Sequence, residues 1–226
     1  MLMKVFPHGT GEGDKPSRYL VRPDYPGRDT APPQVLRGDP AMTRALIDSI
    51  ERRWKFTSGA LSWHPEEKIS EAQEEEVMDA FERVAFAGLE VDQRNILWVR
   101  HTHAGHHELH FLIPRLELSS GKDFNACPPG WQKDFDVFRD LFNWRDGWAR
   151  PDDPARARDE LPKKADLFKA QMVRWGKEIR ESDRDRAKEV IHAFLKEKVT
   201  QGLVRNREDV LNTLKEQGLY INREGR

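Results

Sequence analysis

The chain has 226 residues, a formal net charge of −1, 34% charged residues and a mean hydropathy of −0.81, yet seven Trp and eleven Phe supply bulky apolar material. This composition excludes a disordered chain and a peptide-sized module, and no apolar run reaches the length of a membrane span. The polar start carries no secretory apolar region, so a cytoplasmic protein is expected, and a single cysteine, Cys127, excludes an intrachain disulfide and a cysteine-rich zinc site.

In chain order, Met1 to Phe6 reads as a short edge strand ended by Pro7 and a loop through Gly9, Gly11 and Gly13. Pro16 fits the first turn of a helix that carries Tyr19 and is stopped by Pro23 and Pro26. A loop rich in Pro and Asp runs to Asp39-Pro40, after which Met42, Leu46 and Ile50 recur at helical spacing. Residues 56–63 form a further strand. Ser70 opens a helix with an acidic first turn, Glu71 and Glu74, and an apolar stripe of Val77, Phe81 and Val84. Residues 95–101 and 108–116 are two strands joined by a turn at Ala104-Gly105. A loop over 119–130 precedes a helix marked by Phe135, Phe138, Leu141, Phe142 and Trp148.

Residues 1–150 are thus expected to form an α/β (α+β) domain, and residues 151–162, rich in Pro, Asp, Arg and Ala, a linker. Residues 163–226 are expected to be helical: Phe168, Met172, Trp175 and Ile179 mark one helix, Ile191, Phe194 and Leu195 a second, and Val210, Leu211 and Leu214 a third ending at Gly218. Leu219–Asn222 reads as a strand cut short, which points to a segment of a longer chain. Residues 1–60 hold ten Lys/Arg against seven Asp/Glu, residues 61–160 twelve against twenty-one, and residues 161–226 sixteen against eleven, so an acidic centre lies between basic ends. That pattern permits phosphate contacts from the ends, though solvated helix faces explain most of the acidic middle.

The run from Trp98 to Pro114 places His101, Glu108 and His110 on the hairpin. Side chains two apart on a strand share a face, so Glu108 and His110 point the same way while Leu109, Phe111 and Ile113 point into a core. Two imidazoles and a carboxylate suit Mn²⁺ or Zn²⁺, or Mg²⁺ with several waters retained. Against this stands a surface hairpin that carries polar residues by chance, since His103, His106 and His107 lie in the same run and cannot all be ligands. Tyr19 follows a glycine loop at a helix start, flanked by Arg18 and Arg22, a setting suited to a nucleophile on phosphorus. Its alternative is an amphipathic residue that packs its ring and exposes its hydroxyl.

The runs Pro16-Ser-Arg-Tyr-Leu20, Thr57-Ser-Gly-Ala-Leu-Ser62, Phe81-Glu-Arg-Val84 and Leu97-Trp-Val-Arg-His101, then Glu108-Leu-His-Phe-Leu-Ile-Pro114 and Glu117-Leu-Ser-Ser-Gly-Lys122, resemble in order the mobilisation relaxases of colicin-type plasmids. The resemblance covers residues 1–150 closely and the helical tail more loosely. It implies a central antiparallel sheet of about five strands flanked by helices, of the HUH-endonuclease/relaxase kind, with a C-terminal helical segment; that segment's excess of five basic charges suits a grip on DNA flanking the nick, with a three-helix packing module that makes no DNA contact as the alternative. It also implies that Tyr19 is the nucleophile, that His101, Glu108 and His110 hold the divalent ion, and that one strand is nicked at an origin of transfer. The expected product is a 5′-phosphotyrosyl intermediate for conjugative transfer, and the expected partners are single-stranded origin DNA, accessory mobilisation proteins and a coupling protein, with no membrane insertion. The subgroup has a His-Glu-Asn metal set. This chain departs from it at His110, a stronger ligand than carboxamide for transition metals, which leaves the physiological ion open between Mg²⁺, Mn²⁺ and Zn²⁺.

Arg18, Arg22, Thr57, Ser58, Arg100 and Arg115 are the expected DNA contacts. Trp63, Trp131, Trp144 and Trp148 are candidates for base stacking, with the core as the alternative place for most of them. Two rival functions remain: a relaxase-like DNA-binding or replication-control protein without cleavage, and a metal-dependent phosphodiesterase in which water attacks.

Overall fold

Apolar residues on both parities of residues 97–114 require a hairpin covered on two faces, and the computed structural model, which describes residues 1–154 and 183–219, has that arrangement. Strands β1 (Leu2–Val5), β2 (Gln34–Arg37), β3 (Phe56–Ser62), β4 (Leu97–His101) and β5 (Glu108–Pro114) form one sheet in the order β1-β3-β5-β4-β2. All neighbours are antiparallel, as expected, and β5 is the central strand.

One face carries Leu97, Val99 and Leu112, packed against Leu20 of α1 (Asp14–Val21) and Ile47 of α2 (Pro40–Asp48). The other carries Trp98, Leu109, Phe111 and Ile113 against Val77, Met78 and Phe81 of α3 (Glu71–Ala85) and Phe135, Phe138 and Phe142 of α4 (Gln132–Arg145). Residues one apart on a strand therefore report to different helical layers.

Local chemistry sets the helix ends. Ser70 and Gln73 form a capping box at the start of α3, and Asp39 caps α2 by accepting from the Met42 amide at 2.6 Å with Pro40 at the first position. Helix α1 ends where Arg22, just before Pro23, turns extended, as the proline ring demands. The buried stripe of α2 is Thr43 and Ile47, with Ile50 just beyond the helix, and not the expected Met42, Leu46 and Ile50; Met42 is exposed. Leu141 of α4 likewise faces solvent, and Trp148 lies past the helix, stacked on Phe142.

Strand β2 was not expected, since residues 23–39 read as loop. It is four residues long, sits at the sheet edge, pairs with β4 alone and shifts register between Val35 and Arg37, so it shows no alternation for a sequence pattern to reveal. The other edge is pinned across the unit: the Met1 ammonium donates to Asn143 Oδ1 (2.6 Å) and the Ala149 carbonyl (3.0 Å), and Asn143 Nδ2 donates back to the Met1 carbonyl (2.9 Å).

The chain divides into two compact units, Met1–Leu161 and Pro162–Arg226. In the second, α5 (Asp183–Thr200) spans the expected Ile191, Phe194 and Leu195 segment, and α6 (Arg207–Glu216), capped by Asn206, ends before Gly218. The expected helix at Phe168–Ile179, most of the expected linker and the Tyr220–Asn222 part of the short strand lie outside the described residues. Among the described residues no helix is long and apolar enough to cross a membrane.

Gly59 of β3 marks where the sheet has no room, because a Cβ there would overlap the Lys4 carbonyl oxygen and the Phe111 ring. Gly59→Ala is therefore expected to lower stability by about 1–3 kcal/mol in urea unfolding, by forcing β1 away from β3 or Phe111 off its rotamer.

Candidate active site

Pairing of β4 with β5 puts His101 directly opposite Glu108 and Val99 opposite His110, so the three expected ligands share the α1/α2 face of the sheet. One donor atom from each lies within 4.8 Å of the others, and the two imidazole rings are 4.4 Å apart. His101 and His110 are buried, and Glu108 is partly so. Glu108 accepts from His106 Nε2 at 3.0 Å and from His110 Nε2 at 3.3 Å.

Burial, helped by His110, pulls the His101 imidazolium down to about 4, so the ring is neutral near pH 7. Burial pushes the Glu108 carboxyl up, but its hydrogen bond with His110 and the charges of His110 and His106 outweigh that and hold it at about 2. Neutral His101 beside ionised Glu108 is the protonation state in which these two groups bind a metal.

His101 Nε2 donates to the carbonyl oxygen of Leu20 at 2.8 Å. This bond ties α1 to β4 and leaves Nδ1 as the lone-pair nitrogen, an arrangement common for metal-binding histidines whose other nitrogen is held by a backbone carbonyl. The donor spacing and the mixed nitrogen and oxygen set fit a borderline divalent ion.

The neighbour of Leu20 is Tyr19, whose ring lies 6.3 Å from that of His101 and 6.5 Å from that of His110, edge-on to both. Tyr19 is 41% exposed, so its ring is in the site and open to a large substrate. Burial and Tyr25 push its phenol above the ordinary value, with Arg28 opposing them. A cavity of about 150 Å³ opens between Tyr19 and His110, walled by Phe6, Pro16, Ser58 and Phe111.

Of the expected DNA contacts, Ser58 lines this cavity. Arg18 and Arg22 sit on or beside α1, Arg18 paired with Asp14 at 3.1 Å and Arg22 near Asp24 at 3.7 Å with its guanidinium over Tyr25. The structure does not bring Thr57, Arg100 or Arg115 to the site. Thr57 and Arg100 are each one residue from a site-facing neighbour, Ser58 and His101, and so point to the α3/α4 layer. Thr57 is fully buried beside His8 and Asn125, Arg100 pairs with Glu74 at 2.9 Å, and buried Arg115 pairs with Asp123 at 2.8 Å. Of the four tryptophans, Trp63 and Trp148 are buried and Trp131 packs against the core, whereas Trp144 is 80% exposed.

Sequence reasoning missed Arg28, which is 1% exposed. Its Nη1 donates to the carbonyls of Tyr19 (2.6 Å) and Arg22 (3.0 Å), its Nη2 lies 3.4 Å from His101 Nδ1, and its guanidinium sits over the Tyr19 and Tyr25 rings at 5.0 and 4.7 Å. It closes the carbonyl end of α1, where a cation is favoured. A lone arginine in an aperiodic loop carries no spacing signal.

Three comparisons bear on this geometry. Residues 41–142 match the family model described as "Relaxase: MobA/VirD2-like, nuclease domain", a segment that contains His101, Glu108 and His110 and begins after Tyr19. The chain is similar to cryptic plasmid protein C of Neisseria gonorrhoeae, 41% identical over 170 residues that cover 74% of this chain and 80% of that protein. It is also similar to DNA relaxase MbeA of Escherichia coli, 32% identical over 227 residues that cover 98% of this chain and 40% of that protein. No solved structure matches it.

The depressed His101 value has a consequence for stability. Between pH 6.5 and about 4 the unfolded chain binds a proton that folded His101 refuses, so stability falls as pH falls through that window, by roughly 3 kcal/mol in total. Chemical unfolding in EDTA at pH 7 and pH 4.5 should show the loss, and His101→Gln, which keeps a donor for the Leu20 carbonyl, should flatten it.

Proposed function

The chain belongs to the MobA/VirD2-like relaxase family, and from that premise we propose that it nicks one strand of plasmid origin-of-transfer DNA by transesterification, with Tyr19 as nucleophile. The observation that carries this reading is the meeting of the Tyr19 ring with the His101 and His110 rings, enforced by the hydrogen bond from His101 to Leu20.

The Tyr19 oxygen forms a bond to phosphorus as the bond from phosphorus to the 3′ oxygen breaks. The phenol proton is released, the 3′ oxygen leaves and is protonated to a hydroxyl, and a 5′-phosphotyrosyl linkage remains. No net bond energy is lost, so the step is reversible and the strand can be rejoined. A phenol held above its ordinary pKa is a poor nucleophile. His101, Glu108 and His110 would hold a divalent cation, which when bound would supply Lewis-acid stabilisation of charge on the phosphate. Arg28 fixes the backbone of Tyr19 and lies against its ring, so that attack starts from one orientation. Arg18 and Arg22 contribute phosphate contacts from the α1 side, and Ser58 offers a hydroxyl from the cavity wall. In this reading the protein works in the cytoplasm on unpaired origin DNA, with accessory mobilisation proteins and a coupling protein completing transfer, and the helical unit after Pro162 holds DNA that flanks the nick.

Incubation with origin-strand oligonucleotides and Mn²⁺ should give a protein-DNA adduct that survives denaturation, and Tyr19→Phe should abolish it; an adduct that persists in that variant would remove Tyr19 from the role. Without DNA, millimolar Mn²⁺ should raise the thermal midpoint of the protein and fail to do so in Glu108→Gln. His110→Asn should keep adduct formation while shifting the preferred ion from Mn²⁺ toward Mg²⁺, read as the ratio of rates in the two ions.

A further inference from the structure

Residues 52–55, Arg-Arg-Trp-Lys, lie between α2 and β3 and were absorbed neither by the core nor by the ligand set. Trp54 is 40% exposed, the Arg53 guanidinium lies over its ring at 4.9 Å, and the His8 ring meets it at 6.0 Å in an edge arrangement. The segment is held rigidly: the Lys55 amide donates to the Gly9 carbonyl (2.8 Å), and the Lys55 carbonyl accepts from the Arg115 amide (2.8 Å). Its neighbour His8 lies beside Thr57, at the edge of the sheet that β1 begins.

We propose that Trp54, backed by Arg53, is a stacking platform for an unpaired nucleobase of a bound single strand. The inference rests on the reading of the chain as an enzyme of single-stranded DNA. An indole with an exposed face and a cation against it offers the two things an unpaired nucleotide needs, a π surface for the base and charge for the phosphate. Charge separates Trp54 from Trp144, the other strongly exposed indole among the described residues. Trp144 stands on α4 among Asp134, Asp136, Asp140 and Asp146, and its neighbour Arg145 is committed to Glu76 and Asp146. Arg139 pairs with Asp136 and Asp140, which leaves the Trp144 surface acidic, whereas beside Trp54 Arg52 is held by Asp123 and two carbonyls and Arg53 and Lys55 supply the positive charge that attracts a polyanion.

The test is binding of labelled oligothymidylate of about 20 nucleotides, longer than the ~4–16 nucleotides that a single-strand site covers, measured on the whole chain in EDTA by fluorescence anisotropy. Trp54→Ala should weaken binding about tenfold, Trp54→Phe should restore most of it, and Trp144→Ala should bind as the unmodified protein does. Arg53→Gln should reduce the slope of log affinity against log salt by about 0.7, whereas Trp54→Ala leaves the slope unchanged. Unchanged affinity in Trp54→Ala, or an equal loss in Trp144→Ala, overturns the platform. If the unmodified protein binds no single strand and forms no Tyr19 adduct, the relaxase reading itself falls; if it does both while Trp54→Ala is indifferent, only the platform is lost.

Discussion

A sheet buried on both faces gives each strand residue a single destination, and the candidate site follows from that constraint. On β4 and β5, His101 opposite Glu108 and His110 two residues on from Glu108 fall to the α1/α2 layer, while Trp98, Leu109, Phe111 and Ile113 build the larger core behind them. A one-residue slip of either strand would exchange the two sets, burying Glu108 among the phenylalanines and forcing Phe111 into the α1/α2 layer. The register is thus protected by about twenty core residues that have no chemical role. Such a scaffold can hold three polar groups within a few ångströms without their own interactions having to pay for it.

The site is also a concentration of charges that water does not reach well. Arg28 is enclosed by the Tyr19 and Tyr25 rings and His101, with backbone carbonyls as its strongest partners, and Glu108 provides the nearby negative charge. A guanidinium in this position costs desolvation, which two carbonyl bonds at a helix end and two aromatic faces partly offset. On the other side of the sheet, Glu74 is buried between Arg100 and His107, at 2.9 and 2.6 Å. Each layer therefore braces the same hairpin by a buried polar contact, the His101 bond to the Leu20 carbonyl from α1 and the Arg100–Glu74 ion pair from α3.

Long periodic elements were legible in the sequence: the Ser70 helix with its capping residues, the hairpin with Gly105 in a positive-φ turn, and the shared face of His101, Glu108 and His110. Alternation makes that last inference possible, and the same alternation, applied to residues 57 and 100, turns Thr57 and Arg100 to the face opposite the three ligands. They were grouped with the site by nearness in the chain, which on a strand is a poor guide to direction. Strand β2 and Arg28 were illegible for another reason. Both lie in residues 23–39, where four residues of edge strand and a single buried cation take their places from tertiary contacts and leave no period to read.

The clasp between Met1 and the segment after α4 couples the first residue of the sheet to residues 143 and 149. During synthesis, β1 can pair with β3 once residue 62 has emerged, yet its end is fastened only after α4 has been made. Until then the growing chain presents an unlatched edge strand with exposed backbone groups, the kind of surface that invites pairing with other chains. The last fastening of this edge therefore waits for residues 143–149, the C-terminal end of the same unit.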